Sequence, residues 1–303
     1  MNIFRRILRR LRWEKHKWYD MAYRCLVSPP HVMSLEESVD FILTHRSSLA
    51  RFGDGELGMI YGDTLGFQKH NQQLGEMLRK VLTTQTEGLL VCIPDGFEKL
   101  GRYNQVEVGF WKAHCYYNRK RWYSLLDMSI SYGNTFMSRF YSMEFDQTLS
   151  TSRIEKLKKL WNGRDVIFIE GSDTKMGVGN DLFDNAKSIR RVICPSKDAF
   201  ARYEEIVHQV VFLPHEENDL FILALGPTAT VMAAELQHHG LQALDLGHLD
   251  IEYEWYKMGV KRKVPITGKF SNEAAILGLA QNAVTGEIDS QPYMNQIIID
   301  LSN

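Results

Sequence analysis

A chain of 303 residues that is 44% hydrophobic and 24% charged has the composition of an ordinary globular protein, long enough for one large domain or two smaller ones. Its formal net charge of -1 supplies no overall field for nucleic acid. The four cysteines, Cys25, Cys92, Cys115 and Cys194, form no C-x-x-C, which argues against a zinc ribbon, a thioredoxin-type motif or a disulfide framework.

The near-neutral total hides an asymmetry. Residues 1–24 carry eight Lys or Arg against Glu14 and Asp20, so this segment is +6 and the rest of the chain is -7. Phe4, Ile7, Leu8, Leu11, Trp18 and Met21 recur there at helical spacing, with Arg5, Arg6, Arg9, Arg10 and Arg12 on much of the remaining surface. That pattern predicts an amphipathic basic helix, which either docks on a membrane surface or packs on the body of the protein or a partner. No apolar run is long enough to span a bilayer, and the N-terminus lacks the apolar core and cleavage site of a signal peptide. A cytoplasmic protein, peripheral at the inner face of the membrane if the helix docks, is the expectation.

After Pro29 and Pro30, Ser34-Leu35-Glu36-Glu37 reads as a capping box opening a helix through about residue 44, followed by a short strand over residues 49–52. The stretch RFGDGE then lies at the carboxyl end of that strand and reads either as an acidic turn, Asp-Gly being a common turn dipeptide, or as a metal and phosphate site. Further short apolar runs, most of them ending in Gly or Pro, occupy residues 88–94, 165–171, 190–195, 220–226 and 242–247. Helical patterns lie between them, at about 72–83, 103–118, 151–161, 198–209 and 228–239. Alternating strands and helices, with strands apolar on both faces, predict an α/β fold with a Rossmann-like, mainly parallel sheet flanked by helices. In such sheets ligands bind beyond the carboxyl ends of the strands.

Three loops at those ends carry unusual chemistry. GSDTKMGVGND, residues 171–181, is glycine-rich enough for close backbone approach to a phosphate, and Lys175 is its one point charge for a diphosphate. It is neither a Walker A loop nor a full dinucleotide fingerprint, and a plain turn remains an alternative. In GPTATVMAAEL, residues 226–236, Pro227 suits the first turn of a helix, and Thr228 and Thr230 either help hold a pyrophosphate or merely cap the helix. In DLGHLDIEYEW, residues 245–255, His248, Asp250, Glu252 and Glu254 alternate with apolar residues and would share one face if the segment were extended. Such a face calls for a cation, although a solvated strand edge tolerates the same pattern.

Asp54 and Glu56 add two hard carboxylates. With one imidazole they suit Mg²⁺ or Mn²⁺, Mn²⁺ better matching the nitrogen ligand. A cation beside two phosphate loops describes a site for a metal-chelated diphosphate, the leaving group of a nucleotide-sugar.

The blocks RFGDGE, YGNTF (132–136), the run over 177–200, LGPTATV and LGHLDIEYEW, in order between about residues 34 and 273, resemble the GT-D fold glycosyltransferases, bacterial enzymes that act in glycosylation of surface adhesins. The resemblance implies a Rossmann-like catalytic domain over about 31–275, between a basic extension (1–30) and a C-terminal tail (276–303). It also implies a D-x-E motif that binds the metal bridging the donor diphosphate, here Asp54 and Glu56, with His248 as the further ligand. The donor would be a UDP-sugar, UDP-glucose in the best-known members, and Arg51, Lys175, Gly177, Gly179, Asn180, Thr228 and Thr230 would hold it. Asp250, then Glu254, are the candidates to accept the acceptor proton if the reaction inverts the anomeric centre. The acceptor would be a hydroxyl of a surface glycan, lipid-linked at the inner membrane face or carried on protein. A metal-dependent sugar-phosphate phosphoesterase and a non-catalytic nucleotide-binding scaffold would want similar loops.

Overall fold

The computed structural model describes residues 3–98, 100–266, 269 and 290–302. Among them nine strands form one sheet in the order β1-β4-β3-β2-β8-β7-β5-β6-β9, every neighbouring pair parallel. The strands are β1 His31–Val32, β2 Ser48–Arg51, β3 Leu89–Ile93, β4 Ser131–Asn134, β5 Asp165–Gly171, β6 Ser188–Cys194, β7 Asp219–Ala224, β8 Ala243–Asp245 and β9 Ile297–Asp300. Helix α1 spans Ile3–Leu26, α2 Leu35–His45, α3 Asp54–Ile60, α4 Gln72–Thr83, α5 Gln105–Tyr123, α6 Ser150–Lys158, α7 Tyr203–Val211, α8 Pro227–His238, α9 Leu249–Met258 and α10 Ser290–Gln296.

Side chains alternate across each strand, so a strand buried on both faces feeds two cores. Ile167 and Ile169 of β5 and Phe221 and Leu223 of β7 pack with α4, α7 and α8. Their neighbours Val166, Phe168, Leu220 and Ile222 pack on the other face with α2, α6 and α9. The helices begin where local chemistry tells them to. Ser34 accepts from the Glu37 amide at 3.1 Å while Glu37 accepts from the Ser34 amide at 2.7 Å, the reciprocal cap read in the sequence.

Two expectations about local structure change. Residues 245–255 are not an extended face: β8 ends at Asp245 and α9 begins at Leu249, which places His248 with Glu252 and Asp250 with Glu254 as i,i+4 pairs. The RFGDGE stretch is not a turn either, since Asp54 opens α3. The C-terminal segment expected as a separate tail supplies β9, which pairs with β6 at the edge of the sheet. The expected boundary at residue 275 falls outside the described residues.

β4 was not read as a strand because SYGN is polar and holds a glycine. Gly133 is required there: a Cβ would stand 2.3 Å from the Cys92 sulfur of the adjacent strand.

The sheet has a division at its centre. From β2 the chain moves outward to β3, whereas the other half returns inward from β7 to β8, and β2 and β8 lie side by side. Such a crevice beyond the strand ends is where a doubly wound sheet receives ligands.

Candidate functional site

A cavity of about 400 Å³ opens at that crevice. Its walls come from successive strand ends: Arg51, Asp54 and Glu56 after β2; Asp245 and His248 after β8; Leu225 and Gly226 after β7; Asp173 and Thr174 after β5. Phe67, Trp111 and Phe136 supply aromatic surface, and Arg139 a positive charge.

At the floor, β2 and β8 are tied by side chains. Arg51 Nε donates to the Asp245 carbonyl at 2.6 Å, Nη2 to Asp245 Oδ1 at 2.8 Å, and Nη1 to Ser138 Oγ at 2.5 Å. The Thr230 hydroxyl faces the Arg51 carbonyl at 3.0 Å and Asp245 Oδ2 at 3.2 Å. Thr230 and Thr228 are wholly buried, and Thr228 reaches Gln68 at 3.4 Å. Neither threonine lines the cavity. Thr230 therefore serves the fold of the floor, and the expected hydroxyl contact to a diphosphate is not what this geometry presents.

Asp54 is exposed and Glu56 half-buried, both in the first turn of α3. Glu56 Oε2 accepts from the Gly53 amide at 2.8 Å. Burial, and then the charge of Asp245, push the Glu56 carboxyl up to about 7, against the opposing pull of the Gly53 amide and Arg51. The charge of Asp54 reaches His114 on α5, where it partly offsets the burial that lowers that imidazole's pKa. His248 stands at the start of α9, its Nε2 3.9 Å from Glu252 Oε1. Glu252 is fully buried, which raises its pKa, and it accepts from the Ser142 amide at 2.7 Å and hydroxyl at 2.5 Å.

Among the described residues, no three His, Cys, Asp or Glu side chains stand close enough to hold a metal ion. Asp54, Glu56 and His248 do border one cavity, and two carboxylates with an imidazole are suitable donors for Mn²⁺ or Mg²⁺. The donor types fit, and Glu56 Oε1 is not engaged by the Gly53 amide, which bonds Oε2.

The glycine-rich loop after β5 divides into two parts. Gly171, Asp173 and Thr174 face the cavity. Beyond them the chain turns away, anchored by the buried Glu170, which accepts from the Met176 amide at 2.7 Å and from Arg191 Nη1 at 2.5 Å. Gly177 N donates to Asp250 Oδ1 at 3.0 Å, and Asn180 Nδ2 donates to Asp250 at 2.8 Å and Glu254 at 2.6 Å. Lys175, Gly177, Gly179 and Asn180 are thus not in the cavity wall; their segment is folded against α9. Lys269 completes the arrangement, 2.7 Å from Asp250 Oδ2 and 2.8 Å from Glu254 Oε1. Asp250 borders the cavity and Glu254 does not; both Asp250 oxygens and Glu254 Oε1 accept from protein donors. These contacts hold the loop after β5 against α9.

Gly226 starts α8 with φ 55° and ψ -142°, a conformation open essentially only to glycine. A Cβ there would stand 2.4 Å from the Phe67 ring. The glycine lets the positive end of α8 and the aromatic wall meet.

Asp245, Arg139 and the aromatic walls were not singled out in the sequence. An acid at the end of the apolar run over 242–247 was the available signal for Asp245. Arg139 lies only three residues past the YGNTF block, and nothing local marks Phe67 or Trp111.

Comparison with known proteins places this architecture among others. The family model for the glycosyltransferase GT-D fold matches residues 49–274. The chain is 38% identical over 273 residues to glycosyltransferase GlyD of Streptococcus pneumoniae, covering 90% of this chain and 33% of that one. It is 37% identical over 275 residues to a protein of Streptococcus gordonii described as a probable glycosyl transferase Gly, covering 89% of this chain and 39% of that one. The chain therefore spans between about a third and two fifths of the length of these curated relatives. A solved structure of the domain of unknown function 1792, described as having a distinct glycosyltransferase fold, superposes with a TM-score of 0.86 at 38% identity, over 93% of this chain and 99% of the other. A structure described as a new glycosyltransferase from Streptococcus sanguinis gives 0.84 at 37% identity, over 90% and 100%.

Proposed function

We propose, from the premise that the chain belongs to the GT-D fold glycosyltransferase family, that it moves a hexosyl group, glucosyl in the first instance, from a UDP-sugar to a hydroxyl of a surface glycan. The observation that carries the reading is the cavity between β2 and β8, with carboxylates on one wall and the glycine-started N-terminus of α8 on the other. That arrangement suits a diphosphate: the positive helix end favours its charge, and Arg139 adds to the positive wall. Phe67, Trp111 and Phe136 offer flat surfaces for a base or a sugar ring.

Asp54, Glu56 and His248 are the residues that would hold Mn²⁺ or Mg²⁺, and the ion would supply Lewis-acid stabilisation of the departing diphosphate. The chain's own contribution is positioning. Arg51, Asp245 and Thr230 fix the floor, and Asp250 with Lys269 holds the loop after β5 against α9. The acceptor is a glycan hydroxyl, on a lipid carrier or on protein.

Calorimetric titration of UDP and UDP-glucose, with Mn²⁺ and then with EDTA, tests the reading in the wild type and Glu56→Ala. Binding that requires both Mn²⁺ and Glu56, together with release of UDP in the presence of a glycan acceptor, is the expected result. Release of phosphate from sugar phosphates without any nucleotide would replace it with a phosphoesterase. Binding of UDP with no turnover on any acceptor would make the chain a nucleotide-binding scaffold.

A further inference from the structure

Helix α1 has one face committed to the body of the protein and one face that stays exposed among the described residues. On the committed face His16 is 5% exposed and lies 4.6 Å from the Tyr116 ring and 5.4 Å from that of Tyr117 on α5. Tyr19 stands 4.8 Å from Tyr116 and Tyr23 5.8 Å from Tyr123, while the Arg119 guanidinium lies 5.2 Å over the Tyr23 ring. Residues 16, 19 and 23 are spaced for a single helix face. On the opposite side Leu11 is 61% exposed, Trp18 60% and Met21 49%. These positions recur at intervals of seven and three, so they form a stripe along the helix about half a turn away from His16. Arg10, Arg12 and Lys15 are exposed on the same helix, in a segment whose net charge is +6.

We infer that this face of α1 is a docking surface for an anionic lipid bilayer. A Trp, a Leu and a Met projecting in a line suit the boundary between headgroups and acyl chains, and the surplus of arginine and lysine complements an acidic leaflet. Among the described residues no helix is long and apolar enough to cross a membrane, so the mode is attachment in the interfacial plane. Because α1 is clamped to α5 by rings, the attachment is rigid with respect to the sheet. Tyr116 lies five residues beyond Trp111, which borders the cavity, and this places the clamp about 8 Å along the α5 axis from the cavity wall. Val106 and Phe110 before them on α5 and Tyr117 after them are exposed as well. A chain docked in this way works on substrates held close to the lipid surface. The inference rests on α1 and α5 alone and does not depend on the identity of the sugar donor.

Flotation of the full chain with phosphatidylcholine vesicles, with and without phosphatidylglycerol, tests it. The wild type is expected to float with the anionic vesicles and to be released by salt. The triple variant Leu11→Glu/Trp18→Glu/Met21→Glu is expected to lose at least about tenfold in partitioning while keeping its helical circular dichroism and melting temperature. Should that variant fold poorly, Arg10→Glu, an exposed charge away from the clamped face, is expected to weaken the anionic component in the same direction. Equal flotation of wild type and both variants, or no flotation of the wild type, would overturn the inference. A wild-type dimer by light scattering that the triple variant converts to monomer would also overturn it, because the face would then belong to a second copy of the chain.

Discussion

Arg51 binds Asp245 through both backbone and side chain, at 2.6 Å to the carbonyl and 2.8 Å to Oδ1, and so locks the last residue of β2 to the last residue of β8. Asp245 also faces Thr230 and, through its charge, raises the carboxyl of Glu56. Replacing Asp245 by Asn leaves the Arg51 guanidinium largely buried without its counter-charge. A loss of about 3 kcal/mol of stability is expected in urea unfolding. The same substitution removes a repulsion, so the Glu56 carboxyl should titrate lower, which a carbon-detected NMR titration reads.

The Glu56 carboxyl gives a pH dependence of defined sign. Its pKa is raised from an ordinary 4.5 to about 7 in the folded chain. Between those values the native state holds a proton that the unfolded state has released, so this group's contribution falls as pH rises and levels off above about 7. The stability difference between the wild type and Glu56→Gln, measured in EDTA, should therefore move against the wild type by about 3 kcal/mol across that interval. A difference that is constant with pH would contradict the burial described for Glu56.

Gly226 is the position at which an added methyl does most harm in the cavity. Gly226→Ala forces an unfavourable backbone and drives a Cβ into the Phe67 ring, 2.4 Å away. A cost of about 1–3 kcal/mol is expected from the backbone alone. Binding of UDP should weaken as well, and a titration showing wild-type affinity in a protein of lowered melting temperature would separate the fold from the proposed diphosphate site.

Lys269 holds two carboxylates with one ammonium. Lys269→Met should leave Asp250 and Glu254 facing each other uncompensated, at a cost of about 3 kcal/mol or more. The segment around Gly177 and Asn180 should become susceptible to proteolysis, since its N–H groups donate to those same carboxylates. Adding Asp250→Asn to Lys269→Met should recover part of the loss.

Much of the fold was legible because its signals are local. Helix α4 spans the residues that its apolar spacing indicated, and the capping box at Ser34 and Glu37 is present atom for atom. The failures also have local causes. Glycines in RFGDGE speak for a turn, although Glu56 caps the helix that they open. His248 followed by acids at 250, 252 and 254 imitates a strand, although Trp255 and Tyr253 are buried as residues of α9. Strand ends were placed well enough to find Asp54, Glu56, His248 and Asp250 at one cavity. What sequence could not give was the partner of each group. Arg51 and Asp245 are 194 residues apart and meet only because β2 and β8 are neighbours. Gly177 and Asn180 likewise meet Asp250 and Glu254 of α9, 70 or more residues away in sequence, instead of the cavity.

The adjacency of β2 and β8 also governs when the site can exist. Leu49 pairs with Leu244, so one wall of the cavity is synthesised early and waits for the other until most of the chain has been made. Loop closure over that span is slow and entropically costly, and it follows the local assembly of each half-sheet. A chain emerging from the ribosome would hold two partly folded halves, with the edges of β2 and β7 exposed, before the cavity formed. Competence of the site therefore reports the arrival of β8, and defects that slow its docking should appear first as aggregation of the nascent protein.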